Sequence, residues 1–293
     1  MIETKLYVVM GVTGRTGSVA AKTLLNDNKR VRVVMRDASR AKEWIELGAE
    51  VALADINDVP ALSEVFSGAD GAYIVSPPQY SSKALFSQAE SMAQSITKAA
   101  LVSKLPKLVA LSSVGAHQAD NAGWIGMNRK LEEILGSSGL NVTFLRAAYF
   151  MENWAPLVKI ASGQGRLPSF LSPLDRKLPM IATGDIGRIA AESLNTDWDG
   201  IRILDLEGPN RYSPRDVANS LALKLGKPIT AISIPESDWK NAIGGMGFSE
   251  QAISGFVEMT RGLNSGHIDF SDELNSVSLK GVITVEKVLE SLI

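Results

Sequence analysis

Three glycines at a spacing of three, Gly11, Gly14 and Gly17, end the stretch LYVVMGVTGRTG that runs from Leu6. An apolar run stops abruptly at the first of them, and Val19 to Leu25 beyond the last reads as a helix. Strand, tight turn and helix form the setting in which glycines serve a phosphate. Gly11 lets the chain turn sharply, Gly14 leaves out a Cβ where a pyrophosphate must approach the backbone, and Gly17 lets the helix lie close on the strand. The helix N-terminus then offers free N–H groups and the positive end of its dipole. The spacing is G-x-x-G-x-x-G, not the G-x-G-x-x-G of ordinary dehydrogenases, and a plain βα turn with spare glycines is the alternative. The strand before and the helix after favour dinucleotide binding.

A second chemical position follows at the end of the β-branched run Val31 to Met35, which reads as the second strand and stops at Arg36. In dinucleotide folds this strand end selects the cofactor. An acidic residue there accepts from the ribose 2′-hydroxyl of NAD, whereas an arginine suits the 2′-phosphate of NADP, whose oxygens match its planar fork. Arg36 therefore favours NADP(H), with Arg15 and Arg40 adding positive charge and Asp37 working against it. A solvated charge at a strand end is the plainer account.

The elements that must position these residues alternate. After the second strand the pattern reads helix 38–47, strand 50–54, short helix 60–66 and strand 71–75, stopped by Ser76-Pro77-Pro78. A long helix 83–102, strand 107–111, helix 128–135 and strand 141–145 follow. Strands alternating with helices imply a parallel sheet covered on both faces, with ligands beyond the carboxyl ends of its strands. Those ends are Gly11, Arg36, Asp55, Ser76, Ser112 and Arg146. The expected cofactor contacts are Gly11, Thr13, Gly14, Arg15, Thr16 and Gly17 of the turn. Beyond it they are Arg36, then Asp55 with Ile56, Ser76 with Pro77, and Ser112.

From Tyr149 the alternation loosens. Residues 161–179 and 261–281 read as loop, 185–194 and 250–259 as helix, 201–206 and 229–234 as strand, and 285–292 as helix. Ser213 with Pro214 opens a helix that stops at Gly226, an N-cap followed by proline at the first position. The organisation expected is a dinucleotide-binding domain over 1–150 and a smaller α+β lobe over 151–293, with the sheet open to sharing between them.

A chain of 293 residues with 45% hydrophobic residues can build that core, and its net charge of −2 offers no basic surplus for nucleic acid. Cysteine is absent, which excludes disulfides, a thiol nucleophile and thiolate metal sites, and fits a reducing cytoplasm. No signal peptide fits the first residues, no apolar run approaches a membrane span, and no metal-ligand spacing is visible.

The motifs GVTGRTG (11–17), VVMRD (33–37), LADI (53–56), LSSVGA (111–116) and SGLNVTFLRAAYFMEN (138–153) resemble the NmrA-like group of atypical short-chain dehydrogenases. ATGDIGRIAAESL (182–194) and LEGPNRYSPRDVA (206–218) extend the resemblance over nearly the whole chain. It implies a Rossmann-type doubly wound α/β fold with a small C-terminal substrate lobe, and NADP(H) as cofactor. It also implies one of three activities: a quinone or triphenylmethane dye reductase, a redox sensor that binds cofactor without turnover, or a reductase or isomerase of specialised metabolites.

Ordinary short-chain dehydrogenases carry Tyr-x-x-x-Lys on the helix after the fifth strand. Counted back from Ser138-Gly139, those positions here are Trp124 and Asn128. Trp124 cannot act as a general acid. Lys130 lies two residues along, about 200° around a helix, and reads as solvated. Carbonyl reduction develops an alkoxide that needs a proton donor, whereas a quinone or cationic dye takes hydride into a conjugated system and water can supply the proton later. The residues expected at the reacting end are Asn128 at the ribose or nicotinamide edge, His117 after the fifth strand, and Tyr149 with Asn153 past the sixth. Trp154 and Met151 are expected to pack, and Asp185 to cap or anchor its helix. The partner expected is a quinone-like or otherwise conjugated small molecule, with a homodimer left open.

Overall fold

A computed structural model describes residues 4–271 and 276–293. The first half alternates as β1 (Leu6–Val9), α1 (Arg15–Asn26), β2 (Arg30–Met35), α2 (Ala41–Glu46), β3 (Glu50–Leu53), α3 (Val59–Phe66), β4 (Gly71–Ile74), α4 (Leu85–Val102), β5 (Leu108–Ser113), α5 (Gly126–Gly136) and β6 (Val142–Ala147). A short β7 (Tyr149–Phe150) and α6 (Ala155–Gln164) open the second half. They are followed by β8 (Arg166–Ser169), β9 (Leu178–Ile181), α7 (Thr183–Asn195), β10 (Ile201–Glu207), β11 (Arg211–Tyr212), α8 (Pro214–Leu225), β12 (Thr230–Ser233), α9 (Glu236–Gly244), α10 (Glu250–Ser265), β13 (Ser276–Lys280) and α11 (Val285–Glu290).

The main sheet has the order β13-β10-β6-β5-β4-β1-β2-β3, with every pairing parallel. This is the doubly wound α/β fold. The chain steps outward from β1 through β2 to β3, then returns to the other side of β1 as β4, so the switch point lies between β1 and β4. Two of the eight strands, β10 and β13, come from the second half of the chain, so the sheet is shared.

Alternation along the buried strands supplies two cores. Val8, Ala72, Ile74, Leu108 and Ala110 face α3, α4 and α5. Tyr7, Val9, Tyr73, Val109 and Leu145 face α1 and α7. Successive strand residues point to opposite faces, so one run feeds both layers. α7 lies directly on α1, where a Cβ on Gly187 would stand 2.6 Å from the Thr16 carbonyl oxygen and from Val19 Cβ. A third core, including Trp154, Leu167, Leu171, Met180 and Leu221, fills the lobe.

Two stretches depart from the sequence expectation. Residues 161–179 are not loop: α6 runs to Gln164, closed by Gly165 in the left-handed region (φ +69), and β8 and β9 follow. These short strands take their partners from far along the chain, Leu167 opposite Ala231 and Tyr149 opposite Met180, so no local pattern announces them. In 261–281, α10 continues through Gly262 to Ser265 and β13 joins β10; residues 272–275 of this stretch lie outside the described residues. Gly262 is a contact and not a breaker, because a Cβ there would fall 2.6 Å from Ile268 Cδ1 and 2.9 Å from the Asn121 carbonyl oxygen.

The helix at 213–226 forms as the sequence indicates, with a reciprocal capping box between Ser213 and Asp216, Pro214 in the first turn and Gly226 left-handed at the end. Asp185 anchors and does not cap. Its buried carboxylate accepts the N–H groups of Val282 and Ile283, both at 2.9 Å, and pairs with Arg188 at 3.1 Å. The first N–H of α7 is instead taken by Glu152, which accepts from Thr183 N at 2.9 and 3.0 Å and from its hydroxyl at 2.5 Å.

Candidate functional site

The glycine turn sits at the switch point, and its three glycines are there for different reasons. Gly11 is left-handed (φ +69), and a Cβ on it would lie 2.9 Å from Val75 Cβ, just past the end of β4. On Gly17 a Cβ would meet only backbone, at 2.4 Å from the Gly11 carbonyl oxygen and 2.6 Å from that of Met10. Packing therefore demands both. Gly14 differs: its φ of −96 suits any residue, and the nearest protein atom to its Cβ would be the Gly11 carbonyl oxygen at 3.3 Å. Nothing inside the protein needs a bare Cα there, which fits a ligand approaching the backbone from outside.

The end of α1 supports the same reading. α1 starts at Gly14 with no side-chain cap and no acidic residue in its first turn, a lack it shares with α4, α5 and α6; what sets α1 apart is its start in the glycine turn after β1, at the switch point. A helix start left with open N–H donors and an unneutralised dipole fits an anion such as a pyrophosphate. Thr13, Gly14 and Arg15 are exposed at this edge, while Thr16 is buried, so its side chain belongs to the packing.

Arginines surround the turn. Arg36 is exposed at the end of β2. Asp37 beside it turns to the Ser39 N–H at 2.9 Å and caps the turn over 38–40; the Ser39 side chain first, then this N–H, and only then Arg36, hold its carboxyl below the usual range. Arg40 reaches back to the Thr13 carbonyl at 3.2 Å and pairs with Glu43 at 3.0 Å. Arg15 crosses to the Glu152 carbonyl at 3.2 Å, linking the turn to the lobe.

The other expected contacts divide. Asp55 is exposed and accepts the Asn57 N–H at 2.8 Å. Ser76 is half-buried and Pro77 exposed at the end of β4, while Ile56 is buried in the core under α3. Ser112 is buried and donates to Glu132 at 2.5 Å, and the same carboxylate pairs with Arg146 at 2.8 Å. That network ties β5, β6 and α5 together, and its side chains are committed to one another.

At the lobe junction the structure gathers what the sequence scattered. Tyr149, Trp154, Phe170, Leu171, Phe256 and Leu263 line an apolar cavity of about 50 Å³ that opens to solvent. Tyr149 lies just beyond the carboxyl end of β6, and in a parallel sheet that is the same edge as the glycine turn. Burial pushes its phenol up to about 12, with the Asn153 side chain opposing weakly. Aromatic contacts continue the wall: Phe256 meets Phe170 edge-on at 5.0 Å and Trp124 at 5.3 Å. Trp124 stacks on Tyr80 at 4.1 Å, and Tyr80 meets Phe248 at 5.1 Å.

Trp124, expected from the sequence at the position of the tyrosine, is a structural bolt. Its indole N–H donates to the Ala252 carbonyl of α10 at 2.7 Å. Asn128 is half-buried at the start of α5, and its amide takes no hydrogen bond among the described residues. Lys130 pairs with Glu133 at 2.8 Å on the surface. His117 does not line the cavity. Its carbonyl accepts from Arg129 at 2.7 Å and its ring lies 3.1 Å from Gln118, which donates to the His267 carbonyl at 3.0 Å. Both histidines therefore belong to a clasp between the loop after β5 and the end of α10.

Sequence reading missed Tyr80, Phe170, Phe248 and Phe256, whose signal is only aromatic character on α10 and in segments beside it. Among the described residues, no group of three or more metal-ligating side chains gathers, and no helix is long and apolar enough to cross a membrane.

The geometry can be set beside known proteins. An NAD(P)H azoreductase of Xenophilus azovorans is 25% identical over 258 residues, covering 87% of this chain and 86% of that protein. The crystal structure of an NADPH-dependent quinone oxidoreductase from Escherichia coli, complexed with NADPH, superposes with a TM-score of 0.81 at 19% identity over 98% of this chain and 99% of that one. A triphenylmethane reductase from Citrobacter sp. superposes with a TM-score of 0.80 at 16% identity, over 98% and 99%. These structural likenesses establish the fold. The model of the NmrA-like family matches residues 3–288, and the chain belongs to that family.

Proposed function

We propose that this protein binds NADP(H) and reduces a quinone or similar conjugated small molecule. The observation that carries the reading is one edge of the sheet that holds both an uncapped, Gly14-opened helix start and an aromatic cavity beside Tyr149. Gly14 and the first turn of α1 would hold the pyrophosphate, Arg36 a 2′-phosphate, and Asn128 the ribose or nicotinamide edge. When bound, the reduced nicotinamide supplies a hydride, two electrons and a proton's mass, to the acceptor.

The chain's own part is to orient and to exclude water. Trp124 offers no acid where an alcohol dehydrogenase has one, so the acceptor must tolerate hydride first and a solvent proton second. Tyr149, neutral well above physiological pH, is a fixed hydrogen-bond donor for an acceptor oxygen or nitrogen. The relatives named as azoreductase and quinone oxidoreductase support a conjugated acceptor. The lack of cysteine supports a cytoplasmic setting.

The test is NADPH consumption against a panel of quinones, azo dyes and triphenylmethane dyes, run beside calorimetric cofactor affinity. Saturable oxidation by at least one class supports the reading. Tight NADPH binding with no oxidation by any acceptor would replace it with a cofactor sensor.

A further inference from the structure

The cavity at Tyr149 has a chemical bias of its own. Among the described residues that line it, none carries a charge. Its two aliphatic hydroxyls are already spent: Ser169 donates to the Leu171 carbonyl at 2.9 Å and accepts the Leu171 N–H at 3.0 Å, and Thr260 donates to the Phe256 carbonyl at 2.8 Å. Arg176 lies against Leu171 and Leu263 in a separate crevice, and donates to the Leu263 carbonyl. The walls are ring faces and edges from Trp154, Phe170 and Phe256. The polar groups are the Tyr149 hydroxyl and the Trp154 indole N–H, which has no partner among the described residues.

Such a pocket takes in a flat ring on dispersion and ring contacts, and orients it with neutral donors only. It offers no cation to an anion; its unspent donors, the Tyr149 hydroxyl and the Trp154 indole N–H, are both neutral. A sulfonate or carboxylate drawn inside would lose its water and find no counter-charge. We propose that the cavity selects planar aromatic acceptors whose inserted ring bears no negative charge, and turns away sulfonated or carboxylated ones. The inference rests on the hydride-transfer reading for the word acceptor, and on the cavity alone for the selection.

The experiment measures binding without turnover. The full chain, with and without NADP+, is titrated with 1,4-naphthoquinone and with 1,4-naphthoquinone-2-sulfonate. Quenching of tryptophan fluorescence is followed, and the Trp154→Phe variant identifies the signal from the cavity wall. Naphthoquinone is expected to bind about tenfold or more tighter than its sulfonate. Met259→Lys, which puts a flexible cation on the half-buried side of the wall, is expected to narrow that gap severalfold. Leu157→Lys is the second variant, in case the first fails to fold. Equal affinities in the native protein, or a gap that neither folded lysine variant changes, would overturn the proposal. The two readings fail separately. Selective naphthoquinone binding with no NADPH oxidation supports the selection and removes the reductase; NADPH oxidation with no selectivity in binding does the reverse.

Discussion

The indole N–H of Trp124 donates to the carbonyl of Ala252 at 2.7 Å. The two residues lie 128 positions apart, and their bond fixes the segment before α5 to the start of α10. Around it the backbones come so close that a Cβ on Gly123 would lie 2.0 Å from the Gly255 carbonyl oxygen, and one on Gly255 would lie 2.7 Å from the Trp124 ring. Trp124 thus ties the segment before α5 to α10.

Trp124→Phe keeps most of the ring stacking and loses the bond. The Ala252 carbonyl keeps its intrahelical donor, so losing the indole bond costs about 1 kcal/mol, and the midpoint of urea unfolding should fall accordingly. Turnover with a quinone should show a raised KM with kcat within about twofold, because the residue shapes the wall and donates no proton. A collapse of kcat at unchanged KM would show that Trp124 takes part in the chemistry.

Gly14 and Gly17 should separate binding from folding. Gly14→Val leaves a folded protein, since its Cβ meets only one oxygen at 3.3 Å, but obstructs the pyrophosphate, so NADPH affinity by calorimetry should drop about a hundredfold or vanish. Gly17→Ala forces a Cβ to 2.4 Å from a backbone oxygen and should lower stability by several kcal/mol, read as a fall in melting temperature. A folded Gly14→Val protein with native affinity would move the phosphate site elsewhere.

Arg36 should set the cofactor preference. It is exposed at the end of β2, and the carboxylate beside it is occupied by Ser39. The native protein should bind NADPH more tightly than NADH, and Arg36→Ala should weaken NADPH by about tenfold or more with NADH nearly unchanged, in line with a lost charge-assisted hydrogen bond. Equal affinity of the native protein for both would remove the assignment.

Quinone reduction should be nearly flat between about pH 6 and 8, because no group titrating in that window donates the proton. Tyr149 stays protonated throughout, since burial pushes it up to about 12. A rate that falls past an imidazole-like pKa, and loses that dependence in His117→Ala, would make the histidine clasp part of the reaction. The same shift has a stability consequence. Tyr149, Tyr7 and Tyr80 are each raised to about 12 from 10.0, mainly by burial. A raised acid favours the neutral folded form, so stability is complete below about pH 10 and is lost as pH rises toward 12. The urea midpoint measured against pH should bend downward in that window.

The strand, glycine turn and helix at the start of the chain were legible in the sequence because their signals are local. A strand of four apolar residues, a turn whose glycines are three apart and an amphipathic helix lie within about twenty residues, and each element forms from its neighbours. The capping box at Ser213 was readable for the same reason. The reacting end was only half legible. Tyr149 could be named from its place after the sixth strand, but Phe170 and Phe256, which complete the cavity with it, sit on β8's exit and on α10, about 20 and 110 residues away. Short strands such as β8 and β9 exist because distant partners complete their hydrogen bonds, and β13 becomes a strand only beside β10. Local chemistry determined that a tight glycine turn between β1 and α1 would form at Gly11 to Gly17. Which side chains face the space beyond β6, and that none of those described there carries a charge, was decided only when the lobe folded its own distant segments onto one another.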